Sequence, residues 1–137
     1  GYFDTADIAV LSAAVADYKP AVQSAQKIKK HGGDLTLALT QTHDIAATLG
    51  KRKHNGQILV GFALETDAEE ANALKKLKSK NFDLIVLNSL NDEGAGFGHD
   101  TNKVTLLDGK TKKDLPLKRK KEVAGDIVQA IIEKIHA

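Results

Sequence analysis

The chain has 137 residues, 42% of them hydrophobic and 28% charged, and a formal net charge of +2. This composition suits one domain with a real core and excludes both a disordered chain and a polycation. There is no cysteine, which excludes disulfides, thiolate metal sites and a cysteine nucleophile.

The beginning of the chain bears on its origin and its compartment. The sequence contains no methionine, so we expect a segment of a longer protein. No apolar run approaches the length of a membrane span, which is about 20 residues. No signal-peptide pattern opens the chain, and we therefore expect a cytoplasmic protein.

Short apolar runs predict strands that are covered on both faces, as in parallel α/β sheets. These runs are residues 7–15, 57–64 and 82–88. Residues 35–40 alternate between apolar and polar side chains, which predicts a more exposed strand.

Two helices are predicted between these strands. Thr66 and Glu69 form a capping-box pattern, and Ala71, Leu74 and Leu77 follow at helical spacing. The resulting strand–helix–strand unit is expected to cross over right-handed. A shorter helix is expected to begin at residues 42–44 and to end at Gly50 as a left-handed cap.

The last third of the chain predicts a hairpin followed by a helix. Residues 103–107 and 113–117 flank Asp108 and Gly109, which favour a tight turn, and Pro116 suggests an edge strand. The helix carries an apolar stripe of Val123, Ile127, Val128, Ile131, Ile132 and Ile135. We therefore predict a Rossmann-like three-layer α/β/α domain over residues 1–137, with a mostly parallel sheet, a C-terminal β-hairpin and a helix.

Candidate binding residues cluster where strands end, which is where open α/β sheets bind ligands. Asp17 is expected directly after the first strand, where it either binds a ligand or caps a turn. Lys27 and Lys29 flank Ile28, and a buried isoleucine would hold the lysines toward a phosphate. The alternative for these lysines is a solvated charged run.

Two further features are ambiguous when taken alone. Lys76 and Lys80 share a helical face, which suits a bound anion, but they equally complement the helix dipole. Residues 42–46 open a helix whose N-terminus suits an anion, yet Thr42 as N-cap and Asp44 as a first-turn acid is the better local interpretation.

The glycine-rich residues 89–102 are typical of a binding loop or lid. They do not form a dinucleotide fingerprint, because no glycine triplet leads from a strand into a helix.

The ordered series of motifs resembles one family. The series is AAVADYKP (13–20), KIKK (27–30), GFALET (61–66), DLIVLN (83–88) and GFGHDTNKVTLL (96–107). Together these segments look like phosphopantothenoylcysteine synthetase (phosphopantothenate–cysteine ligase), in many bacteria the C-terminal half of the bifunctional coenzyme A biosynthesis flavoprotein. The resemblance covers essentially the whole chain.

The resemblance implies a ligase reaction. The family joins 4′-phosphopantothenate to the amino group of cysteine, and its bacterial type uses CTP with Mg²⁺ or another divalent cation. The substrate carboxylate attacks the α-phosphorus to form an acyl-cytidylate, and the amine of cysteine then displaces CMP. The resemblance also implies a homodimer in the full protein, and FMN only where a decarboxylase domain lies upstream. It implies small-molecule substrates rather than nucleic-acid or membrane partners.

The resemblance assigns roles to particular residues. Lys27 would contact the triphosphate and is the catalytic candidate, whereas no metal ligand is assigned. The positions expected to bind the nucleotide are Ser12, Ala13, Asp17, Lys27, His43, Asp44, Ile45, Ala46, Phe62, Lys76 and Lys80.

The chain also departs from the family pattern. The family's N-terminal glycine-rich segment and its following Ser-Asn segment are absent, so we expect the C-terminal, nucleotide-binding part of a synthetase domain whose N-terminal half is missing. Such a fragment would be weakly active or inactive by itself. His43 stands where a proline is common. The alternative is a non-catalytic nucleotide- or nucleic-acid-binding module that uses its lysine clusters; a nicotinamide dehydrogenase is disfavoured by the missing fingerprint.

Overall fold

The computed structural model describes residues 1–29, 32–89 and 98–136, apart from the side chain of Ser89. These residues divide into a larger unit, Gly1–Ser12 with Ala46–Ala137, and a smaller unit, Ala13–Ile45. The elements in chain order are a 3-10 turn (Tyr2–Thr5), β1 (Ile8–Leu11), β2 (Tyr18–Pro20), β3 (Leu39–Gln41), α1 (Ile45–Arg52), β4 (Ile58–Glu65), α2 (Glu69–Ser79), β5 (Leu84–Ser89), β6 (Thr101–Asn102), β7 (Val104–Leu107), β8 (Lys112–Asp114), β9 (Lys118–Arg119) and α3 (Lys120–Ile135).

A mixed sheet forms the centre of the larger unit. Its strand order in the described residues is β1-β4-β5-β7-β8. Strands β1, β4 and β5 run parallel, whereas β7 pairs antiparallel with β5 and β8 antiparallel with β7. Helix α2 connects β4 to β5, as the predicted strand–helix–strand unit requires. The Rossmann-like α/β class and the C-terminal hairpin are therefore confirmed.

Apolar side chains on the two faces of the sheet form two separate core layers. On one face Leu59, Ile85 and Leu107 pack with Ala73 and Leu77 of α2. On the other face a second set packs against α3: Val60, Leu84, Val86, Val104, Leu106, Leu115, Val123, Ile127 and Ile131. Since successive residues of a strand point to opposite faces, the continuous apolar runs supply both layers. The predicted three-layer arrangement follows directly from this pattern.

The first strand is shorter and more exposed than predicted. It ends at Leu11 rather than at residue 15. Ala9 and Leu11 pack against the α2-side core, but Ile8 and Val10 on the opposite face are 38% and 45% exposed. The prediction of a strand covered on both faces was therefore wrong for β1, because β1 lies at an edge of the described sheet and α3 covers other strands.

The predicted capping box of α2 is not formed. The helix begins at Glu69, after Ala68 in a left-handed conformation with φ of 44°, and no side chain makes a cap hydrogen bond. The Asn72 side chain instead donates to the carbonyl of Asp67 at 2.9 Å. The buried positions are Ala73 and Leu77, so the expected contribution of Ala71 was also wrong.

Gly50 is an interior residue of α1 rather than its cap, because the helix continues to Arg52. A Cβ atom at Gly50 would lie 1.9 Å from the backbone oxygen of Lys80. The Gly50 carbonyl also accepts a hydrogen bond from the Asn81 side chain at 3.0 Å. Glycine is therefore required by the close approach of α1 to the end of α2.

The apolar stripe of α3 is only partly buried. Val123, Ile127 and Ile131 enter the core. Val128, Ile132 and Ile135 are 55%, 40% and 52% exposed, which corrects the prediction of a wider buried face.

Asp108 organises the turn between β7 and β8. Its carboxylate accepts hydrogen bonds from the backbone amides of Lys110 and Thr111 at 2.9 and 2.6 Å, and from Lys134 of α3 at 3.0 Å. Gly109 has φ of +85°, as a tight turn at this position requires. Partial burial acts to raise the pKa of Asp108, but the amides of Thr111 and Lys110 and the ammonium of Lys134 outweigh it and hold that pKa well below its usual range.

We expect Asp108→Asn to lower the free energy of unfolding at pH 7 by about 1–3 kcal/mol, because hydrogen bonds to a charged group are lost. A carboxyl whose pKa is lowered by folding stabilises the protein above its unfolded-state pKa of about 3.9, and this contribution declines as the pH falls toward the folded-state value. Urea unfolding should therefore show a gap between wild type and variant that narrows from pH 7 to pH 3. Asp34→Asn, at an exposed position, is the control. A gap of equal size at both pH values would contradict a role for the charge.

Candidate nucleotide site

The smaller unit contains a polar pocket beside the β2–β3 ribbon. The pocket has a volume of about 320 Å³ and is lined by Asp17, Tyr18, Gln41, Thr42 and Asp44. Asp17 and Asp44 were both predicted to bind the nucleotide. Tyr18 and Gln41 were not predicted, although their opposed positions in the β2–β3 register bring them together.

Thr42, which follows β3, forms two hydrogen bonds to the segment that precedes β2 on the other side of this pocket. Its hydroxyl donates to the carbonyl of Ala16 at 2.5 Å, and its backbone amide donates to the carbonyl of Asp17 at 2.9 Å. The following helix begins three residues later, at Ile45. The local interpretation of Thr42 as an N-cap was therefore wrong, because the N-cap position directly precedes the first helical residue and is occupied by Asp44.

Asp17 does not directly follow a strand, as had been predicted. It lies beyond the end of β1 and immediately before β2. Its position depends on the pairing of β2 with β3 and on its carbonyl contact with Thr42. Sequence could not indicate this arrangement, because β2 and β3 are separated by residues 21–38.

The pocket offers mainly hydrogen-bond acceptors and one aromatic ring. Carboxylate oxygens of Asp17 and Asp44 can accept from hydroxyl or amino groups or bind a divalent cation. Tyr18 adds a ring face suited to a planar group. Negative phosphates would need a cation, which these lining side chains do not supply.

Lys27 is a cation of the same unit. It is exposed, and the described residues give it no ion-pair or hydrogen-bond partner. Ile28 is 57% exposed, so the prediction that a buried isoleucine holds Lys27 and Lys29 was wrong. Lys30, the last residue of that motif, lies outside the described residues. Ala13, His43 and Ile45, also predicted for the site, are exposed in this unit.

The remaining predicted residues belong to the larger unit. Ser12 follows β1, and Ala46 of α1 packs against the α2-side core. Phe62 of β4 packs on the opposite, α3 side. Phe62 and the lysines of α2 thus approach the sheet from different faces.

Lys76 has a carboxylate partner that sequence reasoning missed. Its Nζ lies 2.6 Å from Oε1 of Glu65, the last residue of β4, whose side chain is 13% exposed. No hydrogen bond from the described residues is aligned on that oxygen, so the contact is electrostatic. Glu65 is thus an anion of the chain itself beside Lys76. Lys80 forms the C-cap of α2, and its amide donates to the carbonyl of Lys76.

The described residues contain neither a cluster of metal-binding side chains nor a helix that could span a membrane. Among residues 1–29, 32–89 and 98–136, no group of three or more His, Asp or Glu side chains is placed to hold a metal ion. No helix in that part of the chain is both long and apolar enough to cross a membrane.

The sheet order, the crossover helix and the helices on both faces define a Rossmann-like α/β protein. The chain belongs to the family described as DNA/pantothenate metabolism flavoprotein C-terminal domain, whose model matches residues 1–135. The family resemblance inferred from the motifs is confirmed.

Curated relatives have the same region within longer proteins. Over 135 residues the chain is 54% identical to "Cysteine/Cysteine sulfinic acid decarboxylase" of an unknown prokaryotic organism, covering 98% of this chain and 38% of that protein. Over 131 residues it is 48% identical to "Coenzyme A biosynthesis bifunctional protein CoaBC" of Bacillus subtilis (strain 168), covering 94% of this chain and 32% of that protein. The chain thus spans about a third of the length of these relatives.

Two solved structures are similar to this chain. The crystal structure of the C-terminal domain of CoaBC is 34% identical with a TM-score of 0.75, covering 98% of this chain and 58% of that one. A DNA/pantothenate metabolism flavoprotein from Streptococcus pneumoniae, 20% identical with a TM-score of 0.66, shares the fold and covers 99% of this chain and 66% of that one.

Proposed function

We propose that this chain is the nucleotide-binding part of a phosphopantothenate–cysteine ligase of coenzyme A biosynthesis. The observation that carries the proposal is the family match over residues 1–135, together with 48% identity to a CoaBC protein. The decarboxylase name belongs to a longer relative, of which the chain covers 38%.

The proposed reaction has two steps. A carboxylate oxygen of 4′-phosphopantothenate attacks the α-phosphorus of CTP, which forms an acyl-cytidylate and releases pyrophosphate. The amino nitrogen of cysteine then attacks the acyl carbon, CMP leaves, and loss of a proton from nitrogen gives the amide. Both steps depend on positioning and on neutralising phosphate charge rather than on a protein nucleophile.

Residue roles follow from charge and position. Lys27 supplies an exposed ammonium, without an ion-pair partner in the described part of the chain, as a point charge for the triphosphate. Asp17 and Asp44, in the pocket, suit hydroxyl or amino groups of the nucleotide. Lys76, which pairs with Glu65 in the larger unit, stays a predicted nucleotide contact that only the resemblance implies. The other predicted positions stay nucleotide contacts that only the resemblance implies: Ser12, Ala13, His43, Ile45, Ala46, Phe62 and Lys80.

Magnesium suits this donor set. Mg²⁺ is commonly held by one or two carboxylates together with substrate phosphates and water, rather than by a full protein cage. Asp17 and Asp44 in one pocket meet that requirement, and the ion would reduce the charge of the triphosphate. FMN stays a prediction tied to an upstream decarboxylase domain, and the cytoplasmic location also stays a prediction.

A homodimer is part of the proposal. None of the described residues of 13–45 is buried, and an isolated two-stranded ribbon is at best marginally stable in water. The apolar side chains of this smaller unit are exposed: Tyr18 by 54%, Val22 by 84%, Leu35 by 65% and Leu37 by 56%. A second copy of the chain would cover such residues, and sedimentation velocity would measure the association.

Calorimetric titration tests the nucleotide assignment. With Mg²⁺ present, we expect CTP to bind the chain and ATP to bind at least about tenfold more weakly, which corresponds to about 1.4 kcal/mol of base discrimination. Circular dichroism of the same sample checks that it is folded. Absence of CTP binding by the folded chain would contradict the proposal.

The nucleic-acid alternative makes the opposite prediction. Binding to duplex DNA through lysine clusters would weaken steeply with salt. The net charge of +2 and the aromatic content of 4% favour the small nucleotide instead. DNA binding with a steep salt slope, combined with no preference for CTP, would support the alternative.

A further inference from the structure

Glu65 carries a carboxylate that is mostly buried at the end of β4. Its side chain is 13% exposed, and Nζ of Lys76 lies 2.6 Å from its Oε1. Among the described residues, this Oε1 is the buried side-chain atom that lacks an aligned hydrogen bond. Buried polar atoms of native proteins are nearly always hydrogen-bonded, so an exception calls for an explanation. The ammonium of Lys76 is the charge that makes burial of this carboxylate tolerable.

The position of Glu65 in the sheet places its carboxylate where ligands bind. Glu65 is the last residue of β4, which runs parallel to both β1 and β5. Open α/β sheets bind ligands beyond the carboxyl ends of such strands. Ala63 packs against the α2-side core, and Glu65 points to the same face because side chains of a strand alternate. The carboxylate therefore lies at the ligand edge, on the α2 side.

Lys76 reaches this edge through its side chain. Its Cα lies about two turns, or about 10 Å, along α2 from Glu69. Side chains of a helix tilt toward its N-terminus, which for α2 is the end that follows β4. Asn72, one turn earlier on the same helical face, donates its side-chain N–H to the carbonyl of Asp67 at 2.9 Å. This face of α2 thus contacts the end of β4 and the turn after it.

The ion pair leaves part of the Lys76 ammonium available. An ammonium carries more than one N–H donor, and the side chain of Lys76 is 44% exposed. Lysine has a flexible four-carbon stem, and ordering such a side chain during binding costs entropy. Glu65 is fixed at the end of a buried strand. The ion pair therefore orders Lys76 before any ligand arrives.

We infer that Glu65 is a positioning residue that holds the ammonium of Lys76 toward a phosphate group bound at the carboxyl edge of β4. The inference rests on the proposed function, which supplies the phosphate, and it adds a residue to which the motif resemblance gives no role. The alternative is that Glu65 merely lowers the positive charge of this edge, which would weaken anion binding. The two roles predict opposite effects when the carboxylate charge is removed.

Glu65→Gln removes this charge and keeps the size of the side chain. With Mg²⁺ present, we expect the variant to bind CTP about 3- to 10-fold more weakly, because the ligand must then order Lys76 itself. Glu70→Gln is the matched control, since Glu70 also forms a 2.6 Å ion pair on α2, with Lys112, but is 49% exposed. Its effect on CTP affinity should be less than about twofold.

Unchanged or tighter CTP binding by Glu65→Gln would overturn the inference, provided that circular dichroism shows the variant to be folded. Should that variant not fold, Glu65→Asp answers the same question. It keeps the charge but draws the carboxylate back by one methylene, so positioning predicts weaker CTP binding. Wild-type affinity in this variant would overturn the inference.

A double-mutant cycle with Lys76→Gln shows whether Glu65 acts through Lys76. Lys76→Gln should weaken CTP binding, and adding Glu65→Gln should cause no further loss. A merely structural role of Glu65 would lower the affinity equally in both backgrounds, and that result would overturn the inference. CTP binding that depends on Lys76 but not on Glu65 would contradict this inference alone. No CTP binding by the folded wild-type chain would contradict the proposed function, and the inference with it.

Discussion

Replacing Gly50 with alanine should lower the free energy of unfolding by about 3 kcal/mol or more, because overpacking against backbone atoms cannot relax by rotamer changes. The added methyl carbon would lie 1.9 Å from the backbone oxygen of Lys80. To accommodate it, α1 and the end of α2 must separate, which also weakens the hydrogen bond from Asn81 to the Gly50 carbonyl. Urea unfolding followed by circular dichroism measures the effect.

Gly125 offers a matched control for this experiment. It lies in α3, and a Cβ atom there would have no neighbour within 4 Å. Gly125→Ala is therefore expected to stabilise the protein by about 0.5–1 kcal/mol through helix propensity. A Gly50→Ala variant as stable as Gly125→Ala would contradict the close approach of α1 to the end of α2.

Replacing Lys27 with glutamine should weaken CTP binding by about 10- to 100-fold, since a charge-assisted hydrogen bond contributes about 1.5–3 kcal/mol. The fold should be unaffected because Lys27 is exposed and has no ion-pair partner among the described residues. Isothermal calorimetry with CTP and Mg²⁺ measures the affinity. In a full-length ligase the same change should strongly reduce turnover.

Lys29→Gln controls for the loss of one positive charge in the same segment. Lys29 is equally exposed and lies two residues further along the chain. General attraction between a basic segment and an anion would make the two substitutions equivalent. Equal losses in CTP affinity would thus remove any specific role for Lys27, whereas a loss confined to Lys27→Gln supports the proposed contact.

The prediction of the larger unit succeeded where local pattern and tertiary packing agree. The apolar runs that became β4 and β5 are buried from both sides, so their composition alone indicated central strands. The Asp108–Gly109 turn was predictable because its backbone conformation selects glycine. β1 was mispredicted because an edge strand with one covered face has the same apolar composition as a central strand.

The candidate site was predicted less completely than the fold. The motif series identified the family and selected Asp17, Lys27 and Asp44, and the structure places Asp17 and Asp44 in one pocket. Tyr18 and Gln41 were missed because their pairing depends on contacts across the chain. Glu65 was considered only as part of a strand end, and no local pattern indicates that it pairs with Lys76.

By itself, the sequence determined the α/β class, the order of the main elements and the family, because each is encoded in local periodicity or in ordered motifs. Only the tertiary structure decided what Gly50, Thr42 and Lys76 contact. The backbone oxygen of Lys80 lies so close to position 50 that only glycine fits there. The hydroxyl of Thr42 donates to the carbonyl of Ala16, and Lys76 forms an ion pair with Glu65. Such contacts depend on how the elements pack, and the spacing of neighbouring residues does not predict that packing.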